Sequence, residues 1–203
     1  MPQAFKNAGY FTSAGGKIYH DSLPDPDSWS YPANHTRWIK CVEGDIMDEH
    51  KNYCGVTSKS KEPVTDEELA LAAGLDRLDR GVKSGKPWFV GLGLHRPHWP
   101  YRVPQGFYGT ELYPANSTGG DPIKPAKFRL PPTNVPWMAP NTHGGDIKDP
   151  AHGCPTCVVP EDREIEYRRW YSAACTYSSH MIGRAIAALD QYGADVVDNT
   201  IIV

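Results

Sequence analysis

The most apolar strand-like stretch of the chain is Trp88-Phe89-Val90-Gly91-Leu92-Gly93-Leu94, which has no polar alternation. A run of that kind predicts a strand buried on both faces of a parallel sheet. Ahead of it, Thr65-Asp66-Glu67-Glu68 has the form of a capping box, in which the Thr65 hydroxyl accepts from the Glu68 amide and Glu68 reaches back. Leu71, Leu75, Leu78 and Val82 then recur on one helical face, and Lys83 and Gly85 suit a helix end. Near the start, the short aromatic unit Ala8-Gly9-Tyr10-Phe11-Thr12-Ser13 predicts a strand that stops in a tight loop at Gly15-Gly16. A long helix is predicted from about Asp162 to Gln191, with Ile165, Tyr171, Ile182, Ile186 and Leu189 inward and Gly193 as its stop. Thr200-Ile201-Ile202-Val203 reads as the opening of one more buried strand. Residues 21 to 64 and 96 to 160 lack sustained periodicity and read as loops. Strand, helix, strand, helix, strand implies an α/β layered fold with a parallel sheet. In such sheets a site lies beyond the carboxyl ends of the strands.

Composition sharpens this reading. The 203 residues carry 21 Lys+Arg against 24 Asp+Glu, a net charge of −3, so there is no electrostatic footprint for nucleic acid. No apolar run approaches the ~20 residues of a membrane-spanning helix. The 19 Gly and 19 Pro over-supply loops, and long loops on a scaffold carry function. The first residues have no apolar core of a signal peptide. Two glycosylation acceptor patterns, at Asn34 and Asn116, nevertheless point outside the cytoplasm, with the start of the natural protein expected to be missing. Five cysteines leave an odd one. Cys41 and Cys54 flank a polar stretch and can close a small loop; a disulfide there contributes about 3 kcal/mol in the chain-entropy model. Cys154 and Cys157 are a second candidate pair, and Cys175 reads as a small buried hydrophobe in the helix.

Three clusters hold candidate chemistry. Gly15-Gly16-Lys17-Ile18-Tyr19-His20 offers a turning backbone, a compact positive charge and an acid/base group, which suits an oxyanion; on spacing alone a plain turn with solvated Lys and His is the favoured reading, because Gly-Gly-Lys is common. It lacks the P-loop spacing. His95-Arg96-Pro97-His98 follows the most apolar strand, and Pro97 and Pro100 stiffen the loop, which is how a scaffold holds a catalytic His. Cys154-Pro155-Thr156-Cys157, with His143 and His152 nearby, has zinc-ligand chemistry, but a structural disulfide or idle thiols come ahead of zinc.

Phe5-Lys6-Asn7-Ala8-Gly9-Tyr10 leading into Gly16-Lys17-Ile18-Tyr19-His20 resembles the segment of type I sulfatases that carries Gly-Lys-x-x-His. Lys86-Pro87-Trp88-Phe89 through Gly93-Leu94-His95-Arg96-Pro97-His98-Trp99-Pro100 resembles their strand and His-Lys/Arg-Pro-His segment. Tyr171-Ser172-Ala173-Ala174 through Gly183-Arg184 and Ala188-Leu189-Asp190 resembles their long helix. Asn199-Thr200-Ile201-Ile202-Val203 resembles the strand before their Asp-His-Gly metal motif. The blocks keep the family's order over nearly the whole chain, and the loop around Cys41 and Cys54 looks most like the iduronate-2-sulfatase branch. The resemblance implies an alkaline-phosphatase-like α/β fold, a three-layer sandwich with a mostly parallel central sheet. It implies hydrolysis of sulfate esters, here of sulfated sugars, by a formylglycine nucleophile with calcium. By motif, Lys17 would contact the sulfate or ester oxygen. His20 would bond the formylglycine hydroxyl and assist sulfate release. His95 would contact the sulfate or the leaving-group oxygen, with His98 beside it in substrate binding.

Departures from the family pattern qualify those roles. Neither Cys-x-Pro-Ser-Arg nor Ser-x-Pro-Ser-Arg occurs, so the nucleophile motif is absent. There is no N-terminal Asp-Asp calcium pair, and the sequence stops before the expected metal Asp. Ser178-Ser179-His180 stands where the family often has an acidic residue. The expectation is therefore an incomplete fold, with residues 1–203 a middle segment of one sulfatase catalytic domain. Such a segment is inactive alone, has no calcium ligand of its own, and comes from a lysosomal, extracellular or periplasmic parent. A non-catalytic remnant that binds sulfated ligands, or a related phosphoesterase or phosphonate hydrolase, stays open.

Overall fold

A computed structural model describes residues 1–20, 25–47, 51, 53–108, 134 and 160–203. Along the chain run helix α1 (Pro2–Asn7), strands β1 (Phe11–Gly16), β2 (Ile46–Met47) and β3 (Tyr53–Val56), helix α2 (Asp66–Lys83), strands β4 (Trp88–Gly93) and β5 (Tyr101–Pro104), and helices α3 (Glu161–Ala187) and α4 (Ala194–Val197). The fold is mixed α/β with two small sheets among the described residues. It divides into two compact units. One holds Met1–Trp38, Val64–His95 and Ser178–Val203, and the other Ile39–Pro63 and Arg96–Tyr177.

In the first unit β1 and β4 pair in parallel, in register from Phe11↔Trp88 to Gly16↔Gly93. Helix α2 starts where the capping box places it: Thr65 Oγ1 accepts from the Glu68 amide at 3.2 Å, and Glu68 Oε2 accepts from the Thr65 amide at 3.1 Å. Its buried face is Ala70, Leu71, Ala73, Gly74 and Leu78, and the small members let the helix close on the sheet. A Cβ on Gly15 would lie 2.3 Å from the Gly74 backbone nitrogen. Gly15 is thus a packing glycine inside β1 rather than the turn predicted for it, and the strand runs to Gly16. Adding that one carbon should cost about 1–3 kcal/mol of overpacking. Urea unfolding of Gly15→Ala should show a lowered midpoint, whereas Gly183→Ala, open on every side in α3, should hold or raise it.

Several expectations need correction here. Helix α1 was not expected; Pro2 opens it and Phe5 anchors it by stacking on Phe89 at 4.8 Å. β4 is half-buried over five of its six residues, not buried on both faces, because among the described residues only β1 pairs with it. Thr200–Val203 forms no strand, and Ile201 and Val203 are exposed, since a strand needs a ladder partner and no described segment supplies one. The long helix is present, and Leu189 just beyond it is buried as expected, but much of the inward face is turned. Tyr171, Ile182 and Ile186 are exposed, while the larger aromatic and sulfur side chains of Trp170, Tyr177 and Met181 are buried with Ala173 and Ala174. Cys175 is a free, half-buried thiol.

The second unit is built around β3, antiparallel to β2 and parallel to β5, in regions that read as loop. Its strands are at most four residues long, and β3 and β5 pair across nearly fifty positions, which leaves little local signal. Trp170 stacks between Tyr53 (5.1 Å) and Tyr108 (4.2 Å). Tyr108 donates to Glu166 Oε1 at 2.7 Å; burial first, and then that carboxylate, hold its hydroxyl far above the usual tyrosine range. Cys41 and Cys54 form the expected disulfide, with Cα atoms 5.9 Å apart, and Cys54 is completely buried in the central strand. The bridge closes a sequence separation of 13, so reduction should remove about 3 kcal/mol, read as a lower urea midpoint in dithiothreitol.

Candidate functional site

The candidate site begins where β1 and β4 end side by side. Gly16 has φ +81, and a Cβ there would lie 2.1 Å from the Gly93 carbonyl oxygen. A Cβ on Gly93 would lie 1.9 Å from the Lys17 carbonyl oxygen. The Lys17 amide donates to the Gly93 carbonyl at 2.8 Å. The chain leaving β1 therefore crosses directly over the end of β4, and two glycines make that contact possible. Lys17, half-buried, is fixed at this crossing, two residues before His95 along the neighbouring strand end. Ile18 packs over Gly91 on β4. His20 follows on the same turn and is exposed.

His95 is half-buried, and its imidazole stacks on the Trp38 indole with centroids 4.9 Å apart and planes 23° apart. Periodicity gave no hint of Trp38, which sits in an irregular segment. Asn34, exposed, forms a parallel bridge with Gly15: its amide donates to Ala14 O at 2.8 Å and its carbonyl accepts from the Gly16 amide at 2.9 Å. The glycosylation pattern thus lies on a pinned backbone beside β1.

The rest of the histidine segment belongs to the second unit. Arg96 is buried and gathers three carbonyls, donating to Arg102 O at 3.1 Å, His98 O at 3.3 Å and Ile39 O at 3.2 Å. This guanidinium anchor, which no spacing announced, stiffens the turn together with Pro97 and Pro100. His98 is exposed, with its Nδ1 against the Trp99 carbonyl. Asn116, His143, His152, Cys154 and Cys157 lie outside the described residues.

Lys17 and His95 on adjacent strand ends supply a cation and a group that donates or accepts a proton, the equipment for holding a tetrahedral oxyanion. Among the described residues no three His, Cys, Asp or Glu side chains converge as a metal ligand set. Calcium has no donor cage among them. No described helix is long and apolar enough to cross a membrane.

No family model matches the chain. Comparison with curated proteins nevertheless shows a sulfatase-like chain: it is 25% identical to a sulfatase of Formosa agariphila over 81% of its length and 36% of that protein. More specifically, it is iduronate-2-sulfatase-like. It is 29% identical to iduronate 2-sulfatase of Mus musculus over 100% of this chain and 38% of that protein, and 28% identical to the Homo sapiens enzyme over 94% and 36%. The chain thus spans little more than a third of the length of these relatives.

Proposed function

We propose that this chain is the oxyanion-handling part of a sulfuric ester hydrolase that acts on sulfated sugars, as iduronate 2-sulfatases act by name on a sulfated uronic acid. The observation that carries the reading is the Lys17–Gly93 crossing, which sets the Gly-Lys-x-x-His and His-Arg-Pro-His segments on neighbouring strand ends in a chain similar throughout to iduronate 2-sulfatase. Lys17 binds a sulfate or ester oxygen, and its charge meets the negative charge that grows as the S–O bond breaks. His95 donates to the sulfate or to the departing alkoxide oxygen. His20 holds the hydroxyl of the nucleophile and takes its proton as sulfate leaves. His98 binds the sugar outside the reacting group.

The parent fold is a three-layer, alkaline-phosphatase-like sandwich with a mostly parallel sheet, in which residues 1–203 are part of one catalytic domain. The formylglycine nucleophile and the calcium ligands come from residues outside this sequence, and the parent is lysosomal, extracellular or periplasmic, with Asn34 and Asn116 as glycan acceptors. The missing Cys/Ser-x-Pro-Ser-Arg motif favours a binding role for the chain on its own. Purified chain with calcium should bind a sulfated uronic acid disaccharide more tightly than its unsulfated counterpart. It should hydrolyse neither that sugar nor a chromogenic aryl sulfate faster than a Lys17→Ala/His95→Ala control. Equal binding of the two sugars contradicts the substrate class, and turnover above the control contradicts the assignment of roles.

A further inference from the structure

We infer that Trp38 is a positioning residue for His95: its indole sets the plane of the imidazole and so the direction from which His95 meets an oxyanion. The inference rests on the functional reading above and adds a residue to it. Stacking at 4.9 Å and 23° covers one face of the imidazole, and it engages neither ring nitrogen, because both lie at the ring edge. The restraint therefore fixes orientation without consuming the groups that do chemistry.

Trp38 is itself held. It is half-buried, and the next residue, Ile39, is 3% exposed and gives its carbonyl to Arg96 Nη2 at 3.2 Å. Successive residues of one segment thus grip successive residues of the other: Trp38 the ring of His95, and Ile39 the guanidinium of Arg96. A tryptophan that merely filled space would not need a near-parallel face on this one side chain.

The test uses the 203-residue chain with isotope-labelled histidine rings, the His95 signals being assigned by His95→Gln. Unmodified protein should show His95 ring protons shifted upfield by the indole. Trp38→Phe should keep part of the shift, and Trp38→Leu and Trp38→Met should lose it. Inorganic sulfate, titrated while the His95 signals are followed, should bind about three- to tenfold more weakly to the Leu and Met variants than to wild type, with Phe restoring most of the affinity. The Met variant serves if Leu fails to fold, and circular dichroism identifies a folded sample. An unshifted His95 in unmodified protein, or equal sulfate affinity in a folded Leu or Met variant, overturns the inference while leaving the functional reading in place. An upfield-shifted His95 that ignores sulfate altogether overturns the functional reading, and the positioning role with it.

Discussion

Replacing Asp45 with Ala should cost about 3–5 kcal/mol and leave much of the second unit unfolded at ambient temperature. The Asp45 carboxylate accepts from Arg102 Nε at 2.9 Å and Nη2 at 3.3 Å, and also from the Val42 amide at 3.0 Å. Both charged side chains are completely shielded from water. Arg102 further donates to the Glu62 carbonyl, and its backbone lies in β5 opposite Cys54. Removing the carboxylate leaves a guanidinium in the interior with its charge uncompensated, so the cost is the stranded cation rather than one lost hydrogen bond. Asp45→Leu/Arg102→Met should recover most of the loss, because replacing both charges by packed apolar groups is close to neutral. Urea denaturation of the two variants beside the unmodified chain checks this; a loss below about 1 kcal/mol in Asp45→Ala, the size of a surface pair, contradicts it.

Lys17→Ala and His95→Ala should each weaken binding of a sulfated disaccharide by about ten- to a hundredfold, since a hydrogen bond to a charged group is worth about 1.5–3 kcal/mol. Two groups on one anion act as a unit, so the double variant should lose less than the sum. Lys17→Arg should recover part of the affinity, because it keeps the charge but not the compact ammonium. Calorimetric titration gives the four values, and a change under about twofold in both single alanine variants contradicts the site.

Much of this was legible in the residues because it is local. The capping box fixed the start of α2, and the apolar run fixed the position of β4. Other features were hidden because their cause is distant in sequence. Gly15 reads as a turn until α2 closes on it and Gly74 takes the space of its Cβ. The face of α3 was misjudged because isoleucines weigh heavily in a periodicity count, whereas burial went to Trp170, Tyr177 and Met181. β3 and β5 carry too few residues to alternate, and they find each other across nearly fifty positions. In the site, Lys17 and His95 could be picked out by motif, but bringing their two segments to neighbouring strand ends depends on the Gly16–Gly93 contact. Trp38 and the carbonyl-gathering role of Arg96 left no mark in spacing at all.

The most direct measurement is the position of a tetrahedral oxyanion on the protein. Crystals of the chain soaked with tungstate, which scatters anomalously, should place the anion beyond the ends of β1 and β4, within hydrogen-bonding reach of both Lys17 Nζ and a His95 ring nitrogen. Tungstate bound only elsewhere, or Lys17 Nζ and the His95 imidazole on opposite faces of the β1–β4 sheet, would contradict the assignment of this crossing as the sulfate site.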